Sequence, residues 1–550
     1  MKQKLFIICA LACIFSSCGK SGKADYAIIP KINEISFYPG ADFTLTKNTP
    51  IICQVKDDAM RKNAEFLSSY IEEETSIKLN IKENTEESKN IPCIILDTSF
   101  ENSNKEAYSI NINEKTIVIN GASKQGLFYG IQSLRKFLPA EDVNKVIFKP
   151  TTIKDAPRFS YRGGMLDVSR HFFTVDEVKK YIDILALNNL NTFHFHLTDD
   201  QGWRMEIKKY PLLTEVGSKR AQTLIGHAND SIKKYDGTPY SGFYTQDQLK
   251  DIVKYAADRY INVLPDIDMP GHMSAALAAY PELGCTDGPF KVAEGWGIFH
   301  DVLNPGKEEV FTFLKDILNE VMDVFPSEYI FIGGDECPKE QWENNILCQR
   351  KIKSLGLKTD KHSTKEQKLQ SYIASFAEEV INARGRKMVG FDEILEGGIS
   401  KSATIMSWRG MKGGIKAAKL GNNVIMAPTT YVYFDYYQTK HPENEPLAIG
   451  GYNPLEKVYS FDPIDSSFTA KEASHVLGAQ ACVWTEYMPS FSHVEHMILP
   501  RYAALSEDVW TNKKNKDYSD FLTRIPHMLS IYDRLGYNYA DYILKDLPKK

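Results

Sequence analysis

Net charge of either sign is nearly missing from this 550-residue chain: 66 Lys and Arg face 71 Asp and Glu, leaving −5. That balance excludes a strongly basic nucleic-acid binder. Compositional bias is missing too, since 43% hydrophobic and 25% charged residues exclude a mostly disordered chain. No apolar stretch of about 20 residues occurs beyond the N-terminus, which excludes a multi-span helical membrane protein. Cysteine is scarce, with nine in all. Cys53, Cys93, Cys285, Cys337, Cys348 and Cys482 lie beyond the first twenty residues, match no zinc spacing and read as buried thiols. Cys337 and Cys348 are the closest pair along the chain. No glycine-rich phosphate loop follows any strand candidate, so a doubly wound nucleotide-binding sheet is only the runner-up fold.

What is present begins with an address label. Lys2 and Lys4 precede the apolar run Leu5 to Phe15, too short to span a bilayer and suited to a signal-peptide core. Small residues then lead to Cys18. This resembles a bacterial lipoprotein signal covering residues 1–18, with Cys18 as the lipidated residue. The expectation is an exported protein held on the membrane surface of the cell envelope, periplasmic or cell-surface, each buried lipid methylene contributing about 0.8 kcal/mol.

Residues 24–153 mix short β-like runs (Ile51-Ile52, Cys93 to Leu96, Thr116 to Ile119) with helical stretches at Ala59 to Glu73 and Gly126 to Leu138. They predict a small α+β domain with a charged loop over Lys82 to Asn90. From about residue 156 to 545 the pattern changes. Strand candidates begin at Arg162, Thr192, Asn262, Tyr329, Lys387, Thr404, Asn423 and Val476. Amphipathic helices separate them; Thr245 to Tyr260 and Lys307 to Phe325 keep apolar residues at i, i+3, i+4 and i+7. Eight such alternations predict an α/β architecture, a (β/α)8 TIM barrel. The stretch 430–475 shows no helical pattern and predicts a long functional loop.

Polar and aromatic clusters stand at nearly every strand end: Leu166-Asp167, His196 to Asp200, Asp266 to His272, Gly333 to Glu336, Phe391 to Glu393, Ser407 to Arg409 and Cys482 to Glu486. The C-terminal rim of a barrel is where active sites are built. Carboxylates with Trp and Arg suit glycoside hydrolysis, in which acids move protons, aromatic faces stack on sugar rings and charged groups bind hydroxyls. Asp335 and Glu336 are neighbours and reach one side of a ligand more easily than two. They therefore suit a reaction in which a 2-acetamido group of the substrate supplies the nucleophile. His194 and His196 share a strand face, a core role being preferred to metal binding for want of a third ligand. Arg170-His171 reads as a salt-bridged rim support.

Gly-Gly-Asp-Glu at 333–336 is similar to the catalytic motif of family 20 glycoside hydrolases, the β-N-acetylhexosaminidases. The resemblance extends, in order, through Arg162 to Asp167, His196 to Asp200, Met269 to His272, Tyr433 to Asp435 and Trp484 to Glu486. It implies hydrolysis of terminal non-reducing β-linked N-acetylhexosamine (GlcNAc or GalNAc) with retention, through an oxazolinium ion, without cofactor or metal. Glu336 would be general acid and then base. Asp335 would hold the acetamido N–H, and Tyr433 would donate to its carbonyl oxygen. Trp408 and Trp484 would wall the pocket. Arg162, Asp435 and Glu486 would bind the outer hydroxyls, and Asp199 and His272 would stand behind Glu336. Phe391 occupies a position where the family usually has Trp, which predicts a looser acetamide pocket. The partner implied is a carbohydrate, not a nucleic acid. A relative that releases a disaccharide, and a catalytically silent glycan-binding lipoprotein, are the competing readings.

Overall fold

The computed structural model describes residues 20–54, 57–82, 91–545 and 547. The expected signal segment with Cys18, and residues 83–90 of the charged loop, lie outside the described residues. The N-terminal domain is built on a mixed sheet with the spatial order Glu34–Phe37, Thr151–Asp155, Tyr108–Ile112, Thr116–Gly121, Cys93–Asp97, Ile51–Cys53, Ile81–Lys82. Helices Asp58–Thr75 and Lys124–Lys136 pack on one face. Each starts where its sequence supplies a cap: the Asp57 carboxylate accepts from Met60 N–H, and the Ser123 hydroxyl accepts from Gln125 and Gly126.

Eight parallel strands close the barrel: β1 Tyr161–Asp167, β2 Thr192–His196, β3 Asn262–Asp266, β4 Tyr329–Phe331, β5 Lys387–Phe391, β6 Thr404–Ser407, β7 Val424–Met426 and β8 Val476–Ala481. β1 pairs with β2 in register Gly163 to Thr192, and with β8 in register Tyr161 to Gly478. Side chains alternate along each strand. On β2, Phe193 and Phe195 face the surrounding elements, packing on Tyr181 and Tyr244. His194 and His196 both lie against Asp266, at 3.0 and 2.6 Å. Gln480 donates to His194 Nδ1 at 2.9 Å, so this buried pair is held by a hydrogen-bonded core network.

The helices are less regular than their pattern predicts. β5 and β6 are joined by a single 3-10 turn, Asp392–Leu395, with no crossover helix. The 430–475 segment carries only short turns of helix, at Thr429–Val432, Pro442–Asn444, Leu455–Tyr459 and Ala470–Ala473. All six described cysteines are free; Cys53 and Cys285 are half-buried and the rest buried. The thiol beside Cys348 is that of Cys285 rather than Cys337, because sequence proximity does not bring side chains together across a helix start.

Candidate active site

The site begins with a backbone turn. After β4 the chain runs through Gly333 at φ 63°, Gly334 at φ 89° and Glu336 at φ 48°. Only glycine takes such angles freely. At Gly333 a Cβ would also lie 1.8 Å from Asp268 Oδ1. Asp268 accepts the Gly334 N–H at 3.3 Å, and Gln370 donates to the Gly334 carbonyl at 2.6 Å. The turn thereby presents two consecutive side chains, Asp335 and Glu336, to one cavity of about 170 Å³. Arg170, His272, Trp408, Tyr433, Asp435, Trp484 and Glu486 line it too, with Thr429, Tyr436 and Ile449.

Behind Glu336 stands a charged network from the segments that follow β2 and β3. His272 Nε2 lies 3.5 Å from Glu336, while its Nδ1 lies 3.0 Å from Asp200 and 3.2 Å from Asp199. Asp199 also pairs with Arg170 at 2.8 Å and His196 at 3.0 Å. Burial works against the charged imidazole, but Asp199 outweighs it and holds His272 well above its usual range. Burial likewise opposes the Asp199 carboxylate, but Arg170 and His272 hold it well below the carboxylate range. Asp335 differs. Burial pushes it up to about 6, with His272 pulling down and Glu336 pushing up, and its Oδ1 has no hydrogen-bond partner among the described residues. Asp199, Asp200 and His272 could gather round a cation, but they already bond one another.

Tyr433 enters the cavity from the 430–475 segment. Phe434 donates to the Cys482 carbonyl at 2.9 Å, and Asn453 donates to the Tyr433 carbonyl at 3.1 Å, pinning this loop to the end of β8. Burial pushes the Tyr433 phenol well above its ordinary range. Its ring lies parallel to that of Trp408, 6.2 Å between centroids at 21°. Trp484 forms another wall, with the Arg170 guanidinium 5.0 Å from its ring.

Three expected site residues are placed off the cavity. Arg162 is fully buried at the start of β1, away from the pocket. Its guanidinium binds Glu106 of the N-terminal domain at 2.8 and 2.9 Å, the Asn189 and Phe159 carbonyls at 2.9 and 2.8 Å, and Tyr129 at 2.9 Å. It is a strut between domains, not a substrate ligand. Phe391 does not line the cavity. It is 1% exposed and packs behind Trp408 and Trp484, at 6.2 and 6.4 Å. Asp199 is also buried off the cavity, acting through Arg170 and His272.

Arg170 takes the place expected of Arg162. It follows the C-terminal end of β1, whereas Arg162 begins the strand, and strand polarity alone distinguishes them. Its bonds to Asp167, Asp199 and Gln201 make it the salt-bridged support expected, and it lines the pocket as well. Glu393 went unassigned; it binds the Trp408 indole.

Residues 159–513 match the catalytic domain of glycosyl hydrolase family 20, and residues 25–156 match domain 2 of that family. A β-hexosaminidase of Porphyromonas gingivalis is 42% identical over 98% of this chain and 68% of its own. One from Vibrio furnissii is 32% identical over 88% and 76%. The crystal structure of a family 20 exo-β-N-acetylglucosaminidase from Vibrio harveyi in complex with N-acetylglucosamine superposes with TM-score 0.80 at 29% identity, covering 94% of this chain and 79% of that one. With both domains matched in order, this chain belongs to glycosyl hydrolase family 20.

Proposed function

We propose that this enzyme, a β-N-acetylhexosaminidase, hydrolyses terminal non-reducing β-linked N-acetylhexosamine from glycans, with retention and with the substrate's acetamide as nucleophile. The observation that carries this reading is the placement of Asp335, Glu336 and Tyr433 on one small pocket walled by Trp408 and Trp484. Glu336 gives its proton to the leaving oxygen as the acetamide carbonyl oxygen bonds to C1 and the C1–O bond breaks. The positive charge spreads over the oxazolinium ring. Asp335, ionised, accepts the acetamido N–H and stabilises that charge. Tyr433 donates to the carbonyl oxygen and aims it. Glu336 then takes a proton from water as the water oxygen attacks C1 and reopens the ring.

Arg170, Asp435 and Glu486 supply charged partners for the outer hydroxyls. Asp435 Oδ1 has no hydrogen-bond partner among the described residues, as suits a group that receives a hydroxyl from substrate. This wall favours exo action over disaccharide release. We further propose export and lipid anchoring at Cys18, on the signal pattern of residues 1–18. Cys18→Ala is expected to move the protein from the membrane to the soluble fraction, and retention on membranes would refute the anchor.

The test of activity is hydrolysis of aryl β-glycosides of N-acetylglucosamine, N-acetylgalactosamine and glucose by the chain from residue 19 onward. Release from an acetamido sugar but not from glucose is expected. Equal release from glucose would refute assistance by the substrate.

A further inference from the structure

The β5–β6 connection replaces a crossover helix with the turn Asp392–Leu395. That shortcut brings two carboxyl groups under Trp408. Asp392 accepts the Trp408 backbone N–H at 3.1 Å. Glu393 accepts the indole Nε1–H, at 2.9 Å to Oε2 and 3.2 Å to Oε1. An indole has one polar atom, a donor, so this bond fixes the rotation of the ring. The ring otherwise meets the rings of Phe391, inclined at 69°, and Tyr433, inclined at 21°, neither of which offers the indole N–H an in-plane acceptor. Arg409 reaches Glu393 Oε1 at 3.4 Å and Glu396 at 2.9 Å, and keeps the turn against the strand end.

We propose that Glu393 is a positioning residue for the reaction: its carboxyl holds the Trp408 indole at the angle at which it walls the acetamide and backs Tyr433. Glu393 does not line the cavity and reaches it through its bond to Trp408. Burial, with the Asp335 charge nearby, pushes Glu393 up to about 8. Protonated or ionised, it keeps an oxygen that accepts the indole N–H. Glutamine preserves that acceptor; leucine removes it at similar volume. The inference rests on the function proposed above, because it gives the Trp408 wall its task.

The test compares wild type, Glu393→Gln and Glu393→Leu in the full chain, on aryl β-glycosides of N-acetylglucosamine and its N-propionyl analogue. Glu393→Gln is expected to stay within about 3-fold of wild type in kcat. Glu393→Leu is expected to lose on the order of 10–100-fold in kcat, the scale of a misplaced reacting group. Its relative rate on the N-propionyl sugar is expected to rise as the wall loosens. Wild-type kcat and wild-type acyl preference in Glu393→Leu would overturn the proposal. So would equal losses in Glu393→Gln and Glu393→Leu, which would assign the effect to charge. Thermal unfolding of each variant separates these results from misfolding. If Glu393→Leu does not fold, Glu393→Asp, one methylene short of the indole, carries the same expectation and the same refutation. If the wild type hydrolyses no acetamido glycoside, the proposed function fails. The role of Glu393 is then judged by N-acetylglucosamine affinity, read from tryptophan fluorescence: a roughly tenfold loss in the Leu variant with none in the Gln variant supports it, and equal affinities overturn it.

Discussion

Arg162→Ala removes a guanidinium that is 0% exposed from a Glu106 carboxylate that is 12% exposed. It also strips a donor from the Asn189 and Phe159 carbonyls and from Tyr129. Breaking one side of a buried pair costs about 3–5 kcal/mol, since the partner charge stays behind. That is a large share of the roughly 5–15 kcal/mol holding a typical domain folded. Burial disfavours the Glu106 carboxylate, but Arg162 outweighs it and holds the group below its ordinary value. The pair's contribution is therefore present above the unfolded value of about 4.3 and lost as pH falls below it. The expected result is a lower urea midpoint for Arg162→Ala at pH 7, a deficit that shrinks towards pH 3.5, and an unchanged KM for the folded enzyme. Arg170→Ala is expected to raise KM instead. An unchanged midpoint with a tenfold rise in KM for Arg162→Ala would refute the strut and return Arg162 to the pocket.

Other expectations follow from the same geometry. Glu336→Gln is expected to lose about 10²–10⁴-fold in kcat while still binding N-acetylglucosamine by calorimetry; little loss would remove Glu336 as the acid. Asp335 is held near 6 by burial, so the wild-type rate is expected to fall below about pH 6 and Asp335→Asn to be slow without that limb. The raised value also costs stability. The neutral form is at no disadvantage below about 3.9, and the cost accrues as pH rises through 6. Asp335→Asn is therefore expected to gain up to about 3 kcal/mol at pH 7.5 and almost nothing at pH 3.5, and equal gains at both would contradict burial as the cause. Tyr433→Phe keeps the ring beside Trp408 and loses the hydroxyl, for an expected drop of about 10²–10³-fold in kcat; a loss confined to KM would argue against a role in the chemical step. Gly333→Ala forces a Cβ against Asp268 at φ 63°, and a folding loss of at least about 1–3 kcal/mol is expected by thermal unfolding.

The polar rim was legible because acids and aromatics end apolar runs. Asp335, Glu336, Trp408, Tyr433, Asp435, Trp484 and Glu486 all line one cavity, and His272 joins them from the segment after β3. Arg162 misled because the resemblance over Arg162 to Asp167 carried a hydroxyl-binding role onto a residue that begins its strand, far from the C-terminal rim. Phe391 misled because a strand-end aromatic can face the hole or the layer beneath it, and its contacts with Phe331 and Trp408 put it beneath.

By itself, the sequence determined the repeating β/α order, the two-domain division and the chemical class of the rim, because period, strand polarity and residue type are local properties of the chain. Only the tertiary structure decided which groups each arginine binds, which cysteines adjoin, and which carboxyl holds the Trp408 indole. Those outcomes depend on where barrel closure and domain docking bring side chains far apart in sequence: Arg162 to Glu106, Arg170 to Asp199, and Cys285 to Cys348. A single strand's pattern carries no record of its partner across the barrel, since the contact energy that selects the arrangement exists only once the ring has closed.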